Sequence, residues 1–102
     1  LLMTAGALAV APALPAVAAP RTHTIIIDKM KFSPAPSGVR VGDTMAWVNR
    51  DLFRHTATAR NQAFDVDIQP GATGTSVMRT AGTLAYYCRF HPAMTGQIVV
   101  AA

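Results

Sequence analysis

The stretch Tyr87-Cys88-Arg89-Phe90-His91-Pro92-Ala93-Met94 sets a thiol, an imidazole and a thioether at every third position. With two residues between successive donors, a single tight loop can fold all three around one point, and Pro92 restricts the backbone beside His91. One more donor is needed from elsewhere. His55 can supply it, because it opens a separate β-run after an irregular stretch, where a sandwich could bring it beside the Cys88 loop. A thiolate, two imidazoles and a weak axial thioether form the ligand set of a blue-copper electron-transfer site. Structural zinc instead prefers four strong N or S donors, usually with several cysteines, and catalytic zinc keeps a water position beside His or carboxylate ligands. The candidate metal ligands are therefore His55, Cys88, His91 and Met94, and the implied cofactor is one copper ion.

Each of these residues also has an ordinary structural role open to it. A lone Cys is most often a buried small hydrophobe, Met94 can fill a core, and His55 and His91 can be surface histidines. What favours a metal is their joint occurrence: the sole Cys, two of three His and one Met stand in this order near strand ends. In an exported chain a free thiol is otherwise an oxidation liability.

The chain has 102 residues, which bounds one small domain, and its single Cys excludes an internal disulfide. Such a domain depends on its apolar core or a metal for what disulfides supply elsewhere. Nine Lys and Arg against five Asp and Glu leave a net charge of +4, but the basic residues are scattered from Arg21 to Arg89 without forming a run. No concentrated basic stripe is present, so nucleic acid is not expected as a partner.

Leu1 to Ala19 is uncharged and rich in Ala and Leu, with Ala16-Val17-Ala18 as an A-x-A cleavage site. This pattern predicts a signal peptide over residues 1–18, its start truncated because no charged leader precedes Leu1. Pro12 and Pro15 argue against a lasting membrane helix, which needs about 20 apolar residues. The expected mature domain, residues 19–102, then lies in the periplasm or is secreted.

From Arg21 onward, short β-rich runs alternate with turn residues, and helical periodicity is not sustained anywhere. The runs are Thr22 to Ile27, Lys31 to Ser33, Val39 to Val41, Thr44 to Asn49, His55 to Ala59, Thr75 to Arg79, Thr83 to Cys88 and Gln97 to Val100. Phe64 to Ile68 is a further short strand or edge piece. About eight strands fit an all-β sandwich of two antiparallel sheets, in which Leu84, Tyr86 and Cys88 share one face. His23 reads as a surface residue of the first strand.

On these residues the chain resembles the cupredoxins, and within them the amicyanin type, with plastocyanin and pseudoazurin more distant. The resemblance spans nearly all of the mature part. It includes Val41-Gly42-Asp43-Thr44 leading into Trp47-Val48-Asn49-Arg50, the Ala81-Gly82-Thr83 turn with Tyr86 before Cys88, His91-Pro92-x-Met94, and the closing Gly96-Gln97-Ile98-Val99-Val100. It implies a Greek-key sandwich with one type 1 copper, His55, Cys88 and His91 as equatorial ligands and Met94 as the long axial one. Two departures stand out. Amicyanins usually carry Asn directly after the first ligand His, bracing the Cys loop by hydrogen bonding, whereas this chain has Thr56; and the loop interior is Arg89-Phe90 where amicyanins favour Thr-Pro.

The function implied is a soluble extracytoplasmic single-electron carrier and not an enzyme. Three His are too few for the second copper site that copper oxidases and nitrite reductases require. The alternative is copper storage or delivery, whose signature would be Met-rich or His-rich repeats; Met30, Met45, Met78 and Met94 are instead dispersed. The family docks its redox partners around the C-terminal His ligand, so Leu52, Phe53, Phe90, Pro92 and Ala93 are expected to surround His91. Arg50, Arg54 and Arg89 would rim that patch and favour a transient partner with an acidic face. A monomer is expected, since small redox carriers form weak complexes through small interfaces.

Overall fold

The computed structural model describes residues 19–102, so the expected signal peptide at 1–18 lies outside the described residues. Nine strands follow in order: β1 (Thr22–Asp28), β2 (Lys31–Phe32), β3 (Val39–Arg40), β4 (Thr44–Asn49), β5 (His55–Ala59), β6 (Asp65–Ile68), β7 (Thr73–Val77), β8 (Gly82–Tyr87) and β9 (Thr95–Ala101). They form two sheets, β2-β1-β4-β7 and β3-β9-β8-β5-β6. The all-β sandwich expected from the sequence is the observed fold.

Period-2 alternation directs the core. In β1, Ile25 and Ile27 are fully buried between exposed or partly exposed neighbours, and in β9 Ile98 and Val100 alternate with exposed Gln97, Val99 and Ala101. Leu84, Tyr86 and Cys88 do share one face, as their spacing predicts, and that face is the inner one. Each fully buried Ile contributes roughly 1.5–3 kcal/mol of hydrophobic stabilisation. Central strand β4 is buried more continuously, with Met45, Ala46 and Trp47 all inaccessible or nearly so. Trp47 packs against Phe64 and Tyr86 at centroid separations of 5.3 and 5.8 Å, and Phe32 meets Tyr86 edge-on at 4.7 Å. These aromatics fill the middle of the sandwich.

Two details differ from the sequence reading, and the edge strand it anticipated near Phe64 is present. Each sheet contains one parallel pair, β1 with β4 and β3 with β9, so the sheets are mixed rather than wholly antiparallel. Parallel neighbours need a crossover rather than a hairpin, and the chain supplies it by passing between sheets. The segment around Phe64 contributes a true strand at the edge of its sheet, β6, pairing His55 with Ile68. His23 is not a free surface residue: its Nε2 lies 2.8 Å from Asp43 Oδ2, and its side chain is only 10% exposed.

The β1–β2 hairpin positions the site in a way that composition does not suggest. Its two turn residues, Lys29 and Met30, have φ of 51° and 60°, left-handed values that cost roughly 1–2 kcal/mol each for a non-glycine. Both of their N–H groups donate to the carboxylate of Asp51, at 2.7 and 3.0 Å. Asp51 is held in turn by its own N–H, which donates to Asn49 Oδ1 at 2.9 Å, while buried Asn49 also donates to the carbonyls of Phe53 and Ile68. The loop between β4 and β5 is thus fixed by hydrogen bonds at its root.

Candidate metal centre

Strand β5 opens with His55, which is completely buried and lies at the end of the sandwich where the β8–β9 connection crosses over. That connection begins with Cys88, also completely buried, immediately after β8. Two backbone bonds close it: Cys88 N–H donates to the Met94 carbonyl at 3.1 Å, and Met94 N–H donates to the His91 carbonyl at 2.8 Å. The C-x-x-H-x-x-M segment therefore forms one compact loop, as its spacing predicts.

The geometry brings three donors together. Cys88 Sγ lies 3.7 Å from His55 Nδ1 and 3.7 Å from His91 Nδ1, and the three ligand atoms all fall within 4.8 Å of one another. Nitrogen and sulfur donors sit about 2.0–2.3 Å from a first-row ion, so donors sharing one ion are roughly 3.3–4 Å apart. The two sulfur–nitrogen separations fit that requirement. Met94, 5% exposed, belongs to the same buried cluster as Cys88. The donor chemistry is mixed, with one soft sulfur and two imidazoles held in a site that excludes water from two of its three close donors.

The surrounding groups set the orientation of these ligands. His55 Nε2 lies 2.8 Å from Asp51 Oδ2, so the ring donates its Nε2–H to the carboxylate and leaves the Nδ1 lone pair facing Cys88 Sγ. Burial pushes the Asp51 carboxyl upward in pKa, but the Met30 N–H, the His55 ring and the Lys29 N–H together outweigh it and hold the group below its ordinary value. The sulfur itself accepts the Thr56 N–H at 3.3 Å. Thr56 Oγ1 accepts the Arg89 N–H at 2.9 Å, so a threonine hydroxyl braces the start of the Cys88 loop.

Outside the core, His91 is half-buried and stands beside an apolar surface. Leu52 is 90% exposed, Phe53 58% and Phe90 44%, with Phe53 and His91 ring centroids 6.2 Å apart. Pro92 and Ala93 are exposed as well. The three arginines expected to rim this patch are not equally free. Arg54 forms a two-pronged ion pair with Asp67, and Arg89 reaches Asp65 at 3.2 Å; both guanidinium groups also lie over the Phe90 ring. Among the described residues, Arg50 has no ion-pair partner.

All four candidate ligands named from the sequence fall at this end of the sandwich. Sequence reasoning missed Asp51, Thr58 and Asp65. A carboxylate four residues before a candidate ligand His was a signal for Asp51, since ligating imidazoles usually donate their other N–H to such a group. Nothing in the sequence joined Thr58 and Asp65 to Arg89, because strand pairing alone brings them together.

Comparison with known proteins agrees with this geometry. Residues 1–100 match the model of the cupredoxin-like domain family. Amicyanin of Paracoccus denitrificans is 30% identical over 93 residues, covering 74% of this chain and 64% of that protein. Amicyanin of Paracoccus versutus is 28% identical over 80 residues, with 72% and 61% covered. The chain therefore spans about three fifths of the length of these curated relatives. Among solved structures, a methionine-to-alanine variant of amicyanin with Cu(I) superposes with a TM-score of 0.65 at 28% identity, covering 76% of this chain and 79% of that one. A second such variant in its Cu(I) form gives 0.67 at 29% identity, with 82% and 85% covered. The sandwich, the donor cluster on the Cys88 loop and these similarities lead to one conclusion: the chain belongs to the cupredoxin-like domain family.

Proposed function

We propose that this protein is an extracytoplasmic electron carrier that binds one type 1 copper through His55, Cys88, His91 and Met94. The observation that carries this reading is the convergence of Cys88 Sγ with two imidazole Nδ1 atoms, each at 3.7 Å, beside an exposed apolar patch. Copper, when bound, supplies the one-electron change between Cu(II) and Cu(I). The chain's own residues supply the frame. His55 and Cys88 are inaccessible to water, Asp51 fixes the His55 ring, and the two backbone bonds of the Cys88–Met94 loop hold that loop in one shape. A frame that is already arranged needs little movement between two oxidation states. No substrate is converted, so the role is carriage rather than catalysis.

His91 is the most accessible of the three close donors, and its surroundings define where a redox partner docks. Leu52, Phe53 and Phe90 supply the apolar contact. Because Arg54 and Arg89 are paired with Asp67 and Asp65, an acidic partner face meets Arg50 first, and the salt dependence of association is shallow. The protein acts as a monomer in the periplasm or after secretion. Among the described residues, no helix is long and apolar enough to cross a membrane.

Copper delivery is the competing role. It favours an open site that releases its ion, whereas Cys88, His55 and Met94 are all buried. Addition of Cu(II) to the metal-free protein distinguishes the two. The carrier develops an intense visible thiolate-to-copper band at one equivalent, loses it to a one-electron reductant and regains it on reoxidation in the presence of a Cu(I) chelator. Cys88→Ser abolishes the band. A protein that stays colourless contradicts copper binding by the thiolate, and one that yields its copper to the chelator on reduction is a delivery protein.

A further inference from the structure

Four residues close a hydrogen-bonded ring that includes Arg89, the residue after Cys88 in its loop. Arg89 N–H donates to Thr56 Oγ1 at 2.9 Å, and Thr56 Oγ1 lies 2.9 Å from Thr58 Oγ1. Thr58 Oγ1 donates to Asp65 Oδ1 at 2.7 Å, and Arg89 Nε returns to that same oxygen at 3.2 Å. The direction of the hydroxyls is determined. A carboxylate only accepts, so the Thr58 hydrogen is committed to Asp65, and the Thr56 hydrogen must go to Thr58. Every donor in the chain from Arg89 N–H through Thr56 and Thr58 therefore points toward the Asp65 charge, an order in which each bond polarises the next.

The ring joins two strands to the loop. Thr56 and Thr58 lie on β5, Asp65 opens β6, and Arg89 follows Cys88 in the loop after β8. Strand pairing sets Thr58 opposite both Asp65 and Tyr87. The outer ion pair contributes little by itself, because Arg89 and Asp65 side chains are 42% and 55% exposed. Its value is geometric. Thr56 is the same residue whose N–H donates to Cys88 Sγ at 3.3 Å, so fixing Arg89 against Thr56 also fixes the sulfur against that N–H.

We propose that Thr58 and Asp65 are positioning residues that act through Thr56 and Arg89 to maintain the N–H bond on the Cys88 sulfur, and thereby set the reduction potential of the bound copper. This deepens the copper reading and rests on it. A hydrogen bond to the sulfur draws electron density from it, weakens its donation to Cu(II) and so raises the potential. Loosening the ring lowers it.

The test compares Thr58→Val, Asp65→Asn and Thr58→Ser by two measurements. Hydrogen exchange of the Arg89 amide is read in the metal-free protein, and the reduction potential is read in the copper-loaded one. Thr58→Val and Asp65→Asn are expected to speed Arg89 exchange roughly tenfold, the factor carried by one ordinary hydrogen bond, and to lower the potential. Thr58→Ser, which keeps the hydroxyl, restores both. If Arg89 exchange is unchanged in both disruptive variants, the ring does not hold the loop. If exchange quickens while the potential stays at the wild-type value, the ring does not tune the site; either result overturns the proposal. A wild-type protein that binds no copper overturns the copper reading and with it the tuning, while the exchange data still decide whether the ring holds the loop.

Discussion

Asp51 Oδ2 lies 2.8 Å from His55 Nε2, and the same carboxylate caps both left-handed residues of the β1–β2 turn. One side chain therefore couples a strained hairpin of one sheet to a candidate ligand at the start of a strand in the other. Asp51→Ala removes the acceptor that fixes the tautomer and direction of the His55 ring. Copper affinity is expected to fall roughly 10–100-fold, the usual effect of losing such a partner. Competition against a chelator of known affinity measures it, and an unchanged dissociation constant would show that packing alone orients the imidazole.

Asp43 performs a similar service away from the candidate metal centre. The Arg21 N–H, His23 Nε2 and the Arg40 N–H hold its carboxyl down to about 2 from an ordinary 3.8, against the upward push of burial. A depressed carboxylate stabilises the fold above its unfolded pKa, and that contribution is lost as pH falls through the folded value. The melting temperature of the wild type should accordingly exceed that of Asp43→Asn at about pH 5, and the gap should close as pH approaches about 2. A gap that persists unchanged over that interval would assign the effect to shape rather than charge.

Gly96 pairs with Tyr86 across β8 and β9, and a Cβ there would run into the Tyr86 ring. The ring is 1% exposed and wedged among Phe32, Trp47 and Phe64, so it has no free direction in which to move. Burial also pushes the Tyr86 phenol up to about 12, which keeps it neutral. Gly96→Ala should cost about 1–3 kcal/mol of unfolding free energy, as overpacking generally does. Denaturant titration checks this, and a midpoint equal to that of the wild type would mean the core is looser than its packing indicates.

Much of the centre was legible in the sequence because its donors are local. Cys88, His91 and Met94 lie on one loop whose spacing is itself the geometry, and the Leu84, Tyr86, Cys88 alternation put the thiol on one face with two large apolar side chains, the face that is buried. His55 is 33 residues away from Cys88, and only its place at the start of a β-run linked it to them. The supporting groups were harder to see. Asp65, Thr58 and Arg89 meet through strand register, and Arg54 finds Asp67 across the β5–β6 edge; neither relationship has a local sequence signature. The parallel pairs were equally hidden, because an alternating strand reads the same whichever way its neighbour runs. Strand β7 begins at Thr73, two residues before the expected Thr75, directly after the left-handed Gly71 turn.

Copper K-edge X-ray absorption of the protein loaded with one equivalent of Cu(II) tests the ligand assignment most directly. The expected first shell contains one sulfur at a short, strong bond and two imidazole nitrogens, with the sulfur absent in Cys88→Ser and one imidazole absent in His91→Ala. A first shell made of nitrogen and oxygen alone, unaltered by Cys88→Ser, would show that the ion binds elsewhere and that the buried thiol takes no part.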